Sequence, residues 1–230
     1  MMEKLKALLV VCLTVLLAAC GGGGDSGSSS SGGSSSANSF NLLSGYQRLV
    51  AAGQSSRLTI SGGCSGTFSN TTSPANQSAT FEGQSALAAV SVNTFTYSNC
   101  TPATAATTVT SYYNSNYIPS GQIGSNYGVW ASPPVIPSTV KVGDAGVIGS
   151  INFYTNSSKT LRSGREDDSY VIEADTSTTA IFNLISKTYD SFGGLVSTEQ
   201  DRYRISPDGS LKLLSIDIAY GYSGLNLSIK

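Results

Sequence analysis

The sequence predicts a mainly β protein in which antiparallel strands form a β-meander or sandwich-like arrangement, with one short N-terminal helix. Segments rich in Val, Ile, Thr, Tyr and Phe recur every dozen or so residues after position 57. Several of them alternate apolar and polar side chains with the two-residue period of a half-buried strand. Short stretches of Gly, Asn, Ser and Pro separate them, and short connections favour hairpins over parallel crossovers.

The helix is predicted at residues 40–52. Its apolar residues at helical spacing are Leu42, Tyr46, Leu49 and Val50. Ser39 is placed to cap its start and Gly53 its end. We expect this helix to cover one face or one end of the sheet.

The predicted strands share a β-rich composition. In the first half they are residues 58–61, 79–82, 88–97 and 107–113. In the second half they are residues 147–154, 169–174, 178–189, Leu195–Ile205, Leu211–Tyr220 and 225–229. Residues 165–168, Arg-Glu-Asp-Asp, are predicted to form a charged turn before the strand at 169–174.

Charge changes sharply along the chain. Residues 41–140 hold three charged side chains, whereas residues 141–230 hold twenty. A proline cluster at Pro133, Pro134 and Pro137 precedes the change and is the best internal boundary. We therefore divide the folded part into a disulfide-containing β-rich region at 40–139 and an antiparallel β-meander at 140–230.

The N-terminus has the features of an export signal. Lys4 and Lys6 give a positive start, and residues 7–19 are apolar except for Thr14. A membrane-spanning helix needs about 20 apolar residues, so this run is too short and fits the core of a signal peptide. It ends in Leu-Ala-Ala-Cys at positions 17–20, and Gly/Ser-rich sequence begins immediately afterwards.

This tetrapeptide resembles a bacterial lipobox. The resemblance implies removal of residues 1–19 as the signal peptide, a diacylglyceryl thioether on Cys20, and an acyl chain such as palmitate on the new amino group. Two or more chains anchor a protein stably, whereas one chain binds only marginally. Gly21, in place of an Asp, implies sorting to the outer membrane. The alternative is an ordinary secretory signal that is cut near Ala19.

Residues 20–39 then form the lipidated cysteine and a flexible Gly/Ser linker. Such a composition cannot bury apolar surface. Its expected reach is about 24 Å. We therefore expect the folded part to be held close to the lipid headgroups.

Two of the four cysteines remain after this processing, because Cys12 leaves with the signal peptide and Cys20 carries the lipid. In an exported protein, Cys64 and Cys100 are then expected to form one disulfide. The alternative is two buried free thiols.

Composition excludes several classes of function. The chain has no histidine, which excludes Ser-His-Asp and Cys-His catalysis and every histidine-ligated metal site. The net charge is −1 and no basic patch is present, so we expect no nucleic-acid partner. No nucleotide-binding or calcium-loop motif occurs. We therefore expect no cofactor and no bound metal.

Catalysis would have to depend on carboxylates. Glu199 and Asp201, like Glu173 and Asp175, are two residues apart on a predicted strand or at its end, so each pair points to one face. Such pairs serve glycosidases as acid and base, or hold calcium. The alternative is a solvated sheet face, or cross-strand pairing with Arg202, Arg204 and Lys187.

The best candidates for contact with a ligand are aromatic residues in a stretch rich in Ser, Asn and Gly. They are Tyr112, Tyr113, Tyr117, Tyr127 and Trp130. Aromatic side chains on adaptable polar loops bind sugars or proteins. The alternative is that they pack in the core or brace a loop.

From these observations we expect a lipid-anchored bacterial envelope protein at the outer membrane, with a non-catalytic binding or structural role and no catalytic residues. Its partners would be the membrane, through the anchor, and an envelope protein or glycan that the sequence does not identify. The alternative is a carbohydrate-active envelope enzyme that uses the paired carboxylates.

Overall fold

The computed structural model describes residues 38–230. One helix, α1 (Leu42–Ala52), is followed by thirteen strands. The strands are β1 (Gln54–Gly62), β2 (Gly66–Thr72), β3 (Gln77–Phe81), β4 (Gln84–Tyr97), β5 (Thr104–Tyr113), β6 (Pro119–Ile123), β7 (Tyr127–Trp130), β8 (Ala145–Tyr154), β9 (Arg162–Ala174), β10 (Ala180–Asp190), β11 (Leu195–Ile205), β12 (Leu211–Tyr220) and β13 (Asn226–Ile229).

All strands belong to one antiparallel sheet that closes on itself. From β4 to β13 each strand pairs with the next along the chain, β13 pairs with β1, and β1 pairs with β2. Pairing of β2 with the second half of β4 closes a barrel of twelve strands. β3 pairs only with the start of β4 and lies outside the ring.

The prediction of a mainly β, antiparallel protein with one short N-terminal helix is confirmed. The sheet is a single closed barrel, however, and not a sandwich of two sheets. The difference depends on β2, which the sequence did not reveal as a strand. Phe68 and Asn70 are the buried residues of β2. Because one is apolar and the other polar, the sequence of β2 shows no continuous apolar face that would identify it as a strand.

Among the remaining strands, β6, β7 and β9 differ most from the prediction. β6 and β7 lie in the stretch we had assigned to loops. β9 begins at Arg162, so the charged turn predicted at residues 165–168 is wrong. Those residues alternate between the barrel interior and the outside, as Glu166 and Asp168 are buried whereas Arg165 and Asp167 are half-buried.

Strands from both predicted regions form the same sheet. β7 pairs with β8, and β1 pairs with β13. The core that α1 covers also contains residues from both regions, including Tyr113 and Ile205.

Helix α1 closes one end of the barrel, which we call the helix end. Phe40 forms a bridge with Val140, and Leu42 and Tyr46 are buried in the core there. The helix begins after Asn41, whose side chain makes no capping bond, so the prediction of Ser39 as the cap is wrong. Gly53 ends it as predicted, with a positive φ of 70° and its N–H donated to Leu49 O.

The opposite end of the barrel contains the disulfide. Cys64 and Cys100 are bonded, as predicted. Cys64 packs against a second apolar cluster that includes Phe68, Tyr97 and Leu227. Between the two apolar ends lies an interior with many polar side chains.

Candidate functional site

A cavity lies inside the barrel next to α1. Its volume is about 50 Å³. Leu49 and Val50 of α1 form one side, and the inward faces of β4 to β8 form much of the rest. The side chain of Gln47 on α1 donates from Nε2 to Asn116 O of the β5–β6 loop, at 2.9 Å.

One wall of the cavity is polar but uncharged. It is formed by Gln54, Thr72, Ser91, Ser111 and Gln122. Thr72 and Ser91 share a hydrogen bond of 2.9 Å between their hydroxyl groups. The positions follow from strand register, since Gln54 pairs with Thr72 and Ser111 pairs with Gln122.

Gln122 has a side-chain donor without a partner. It is 4% exposed, and its Nε2 makes no hydrogen bond to any described residue. Space for the side chain exists because its register partner is Gly128, where a Cβ would lie 2.9 Å from Gln122 Cγ. An unsatisfied buried donor costs about 1–3 kcal/mol. Because Gln122 also lines the cavity, an acceptor on a bound molecule is a partner that would satisfy this donor.

The other walls are apolar and aromatic. Tyr113 and Trp130 line the cavity together with Val109 and Ile151. Burial raises the pKa of Tyr113 to about 12, so this phenol stays neutral at physiological pH. No Asp, Glu, Lys or Arg is among the described residues that line the space.

The five predicted ligand-facing aromatics therefore divide into three groups. Tyr113 and Trp130 face the cavity. Tyr117 is partly buried and packs against the core of the helix end. Tyr112 and Tyr127 lie outside the ring, where they stack on Phe81 with ring centroids 4.6 and 5.3 Å apart.

A second polar feature, which we call the acidic layer, consists of the inward-facing Glu166, Asp168, Glu199 and Asp201. Each is at most 4% exposed. Asp168 of β9, Ser186 of β10 and Glu199 of β11 form one row across the sheet. Ser186 donates to Asp168 at 3.3 Å, and Thr188 donates to Glu166 at 3.1 Å.

Burial changes the protonation of this layer. Desolvation and the neighbouring carboxylates raise the pKa of Asp168 and of Glu199 well above their usual values. Desolvation raises the pKa of Asp201 to about 8. The lysine and arginine side chains among residues 38–230 are all at least partly exposed. The folded protein consequently retains protons on this layer near neutral pH.

The second carboxylate pair lies on the outer surface. Asp175 accepts from Arg204 Nε at 2.6 Å, and this contact lowers the pKa of Asp175. Glu173 is 3.7 Å from Arg202 Nε and accepts a hydrogen bond from Asn183. Glu173 and Asp175 therefore pair with arginines of β11, which is the alternative to a catalytic role that the sequence left open.

The sequence predicted that Glu199 and Asp201 lie on one face of a strand, and the structure confirms this. The alternative to a catalytic role, a solvated face, is wrong for this pair, because both side chains are buried. The sequence prediction missed Glu166 and Asp168, since a run of four charged residues resembles a turn. It also missed Gln122, because β6 lacks an apolar pattern. No local sequence pattern could have found Glu166 and Asp168, because both the buried and the outward positions of β9 carry polar residues.

Fold and site together describe a closed antiparallel barrel with an internal cavity. In comparisons with protein-family models, with curated proteins and with solved structures, nothing matches this chain. Among residues 38–230, no three or more Cys, Asp or Glu side chains are grouped so as to hold a metal ion. None of the helices in the same range is long and apolar enough to span a membrane. Cys20 and the lipobox lie outside the described residues.

Proposed function

We propose that this protein is a lipid-anchored bacterial envelope protein that binds a small molecule inside its barrel without catalysing a reaction. The observation that carries the proposal is the cavity beside α1, in which the Nε2 group of Gln122 is buried without a partner. Binding sites of this kind are concave, mostly apolar, and contain a few polar groups that fix the orientation of the ligand.

The anchor is supported by the sequence of the first twenty residues, which ends in the lipobox-like Leu-Ala-Ala-Cys. Acylation at Cys20 would attach the protein to the membrane, with the outer membrane favoured by Gly21. The described chain enters the barrel at the helix end, where Phe40 pairs with Val140. The linker would therefore join the anchor to the end of the barrel that contains the cavity.

Two observations favour binding over the carbohydrate-active alternative. Glu199 and Asp201 are 4% and 3% exposed, and neither lines the cavity, so a glycan has no path to them. Glu173 and Asp175 face outward and are engaged by arginines. A glycosidase instead needs two carboxyl groups that face each other across an open cleft.

The proposal is tested by native mass spectrometry of the full-length protein extracted from bacterial membranes. We expect a chain that starts at Cys20, carries acyl mass and retains a small molecule that denaturation releases. A chain without acyl mass would refute the anchor. Absence of any retained molecule, together with no binding of small molecules added at millimolar concentration, would refute the binding role.

A further inference from the structure

We infer that the cavity selects a small uncharged molecule that offers a hydrogen-bond acceptor to Gln122 Nε2 and an apolar side to Trp130. Amides, ketones and esters of a few carbon atoms belong to this class. The inference rests on the proposed function, because it specifies the ligand of the same site. Charge, size and hydrogen bonding each restrict the ligand.

Charge restricts the ligand first. The lining combines neutral polar residues with apolar ones, and none of the described lining residues carries a charge. Tyr113 is the titratable member, and burial holds its pKa at about 12. An ion that entered would lose its water without gaining a counter-charge, which is strongly unfavourable. Both anions and cations are therefore excluded.

Size restricts it next. A single water needs roughly 10–15 Å³ on the scale that applies to cavities of this kind. The volume of about 50 Å³ therefore accepts about four or five non-hydrogen atoms. A ligand this small reaches at best a Kd in roughly the micromolar range. On the α1 side, a larger molecule would press against Leu49 and Val50, on a helix that Gln47 joins to the β5–β6 loop.

Hydrogen bonding selects within the remaining class. Gln122 Nε2 needs an acceptor, and no described residue supplies one. A carbonyl oxygen accepts this N–H without requiring a charge. The apolar part of such a molecule would contact Trp130 and Val109, which line the same space. A hydrocarbon of equal size would leave the donor unsatisfied and bind more weakly.

The experiment uses the single tryptophan of the chain, Trp130, as a fluorescent reporter inside the site. The purified full-length protein is titrated with three probes of nearly equal size: propionamide, propanoate and propylammonium. We expect saturable change of the Trp130 emission with propionamide, and binding at least about ten-fold weaker for the two ions. Equal binding of either ion would overturn the inference.

A variant tests the contact with Gln122. Gln122→Leu keeps the size of the side chain and removes the donor. We expect it to weaken propionamide binding about ten-fold. Gln84→Leu is the matched control, because Gln84 is an exposed glutamine at the start of β4, and it should bind as wild type does. Unchanged propionamide binding in Gln122→Leu would overturn the role of the amide. If Gln122→Leu does not fold, the comparison of the three probes on the wild-type protein still tests whether the cavity prefers an uncharged ligand.

The two proposals fail in different ways. If no probe binds and no molecule is retained after purification, the binding function itself fails. If propanoate or propylammonium binds as well as propionamide, the protein is a binding protein, but its ligand class is not the one inferred here. Retention of a charged native ligand in the cavity would have the same meaning.

Discussion

Glu199 and Asp201 lie two residues apart on β11, and both carboxyl groups are buried inside the barrel. Desolvation raises the pKa of both groups, and the neighbouring Asp201 raises that of Glu199 further, so the pair retains protons near neutral pH. Burial raises the pKa of Tyr203 and of Tyr220, and the nearby carboxyl groups raise it further, so both phenols are neutral. Protonation of the acidic layer therefore stabilises the folded barrel relative to the unfolded chain.

The first prediction concerns pH. Asp201 has a pKa of about 8 in the folded protein, well above the usual value of 3.8 that the unfolded chain has. Between about pH 4 and about pH 8, the folded state therefore holds a proton on Asp201 that the unfolded state has released. The contribution of Asp201 to the free energy of unfolding is fully present below about pH 4 and falls as the pH rises to about 8. The slope is about 1.4 kcal/mol per pH unit for each retained proton. Urea unfolding at several pH values measures it.

The control for this prediction is a pair of variants. Asp201→Asn removes one retained proton and should make the slope shallower. Asp217→Asn breaks an outer-surface ion pair with Arg202, 2.6 Å long, and should leave the slope as it is. Stability that stays constant or rises between about pH 5 and about pH 8 in the wild type would contradict the prediction.

The second prediction concerns the close contact between α1 and the β11–β12 turn. A Cβ at Gly45 would lie 1.7 Å from the carbonyl oxygen of Gly209, so the helix touches the β11–β12 turn backbone to backbone. Gly45→Ala must move the helix, and we expect a loss of about 3 kcal/mol in the free energy of unfolding. Ser44→Ala, at an exposed neighbouring position, is the control and should change stability by less than about 0.5 kcal/mol. Equal stability of the two variants would show that the contact is not tight.

The third prediction concerns the disulfide. Cys64 and Cys100 are 36 residues apart, and closing a loop of this length removes about 4 kcal/mol of chain entropy from the unfolded state. The double variant Cys64→Ala and Cys100→Ala should therefore unfold at lower denaturant concentration. Adding a reductant should lower the stability of the wild type by a similar amount and leave the double variant unaffected. A reductant-insensitive wild type would count against the bridge.

The fourth prediction concerns Cys20. Cys20→Ser removes the thiol that would receive the lipid, so the protein should move from the membrane fraction to the soluble fraction of the cell. Cys12→Ser serves as the control, because it changes a cysteine within the apolar run that would be cleaved away, and it should leave membrane attachment intact. A Cys20→Ser protein that still sediments with membranes would exclude this anchor.

The elements that could be predicted are those with a regular local pattern. The α1 stripe and the alternation in β10, with Phe182 and Leu184 on one side and Asn183 and Ile185 on the other, follow from side-chain periodicity alone. β2, β6 and β9 were missed or shortened because polar residues occupy their inward positions. Glu166, Asp168 and Gln122 have no local signature of burial, as their surroundings come from distant strands.

The sequence alone determined the chemistry that the chain can offer: one disulfide pair, no histidine, a lipobox-like cysteine, and β-rich segments with short connections. The tertiary structure decided where polar side chains lie, because β2 joins β1 to β4 and closes the sheet. Closure turns one face of every strand of the ring into a shared interior. Carboxylates and amides that would otherwise meet water are thereby buried together, and the raised pKa of Asp201 and the unpaired amide of Gln122 are consequences of that closure.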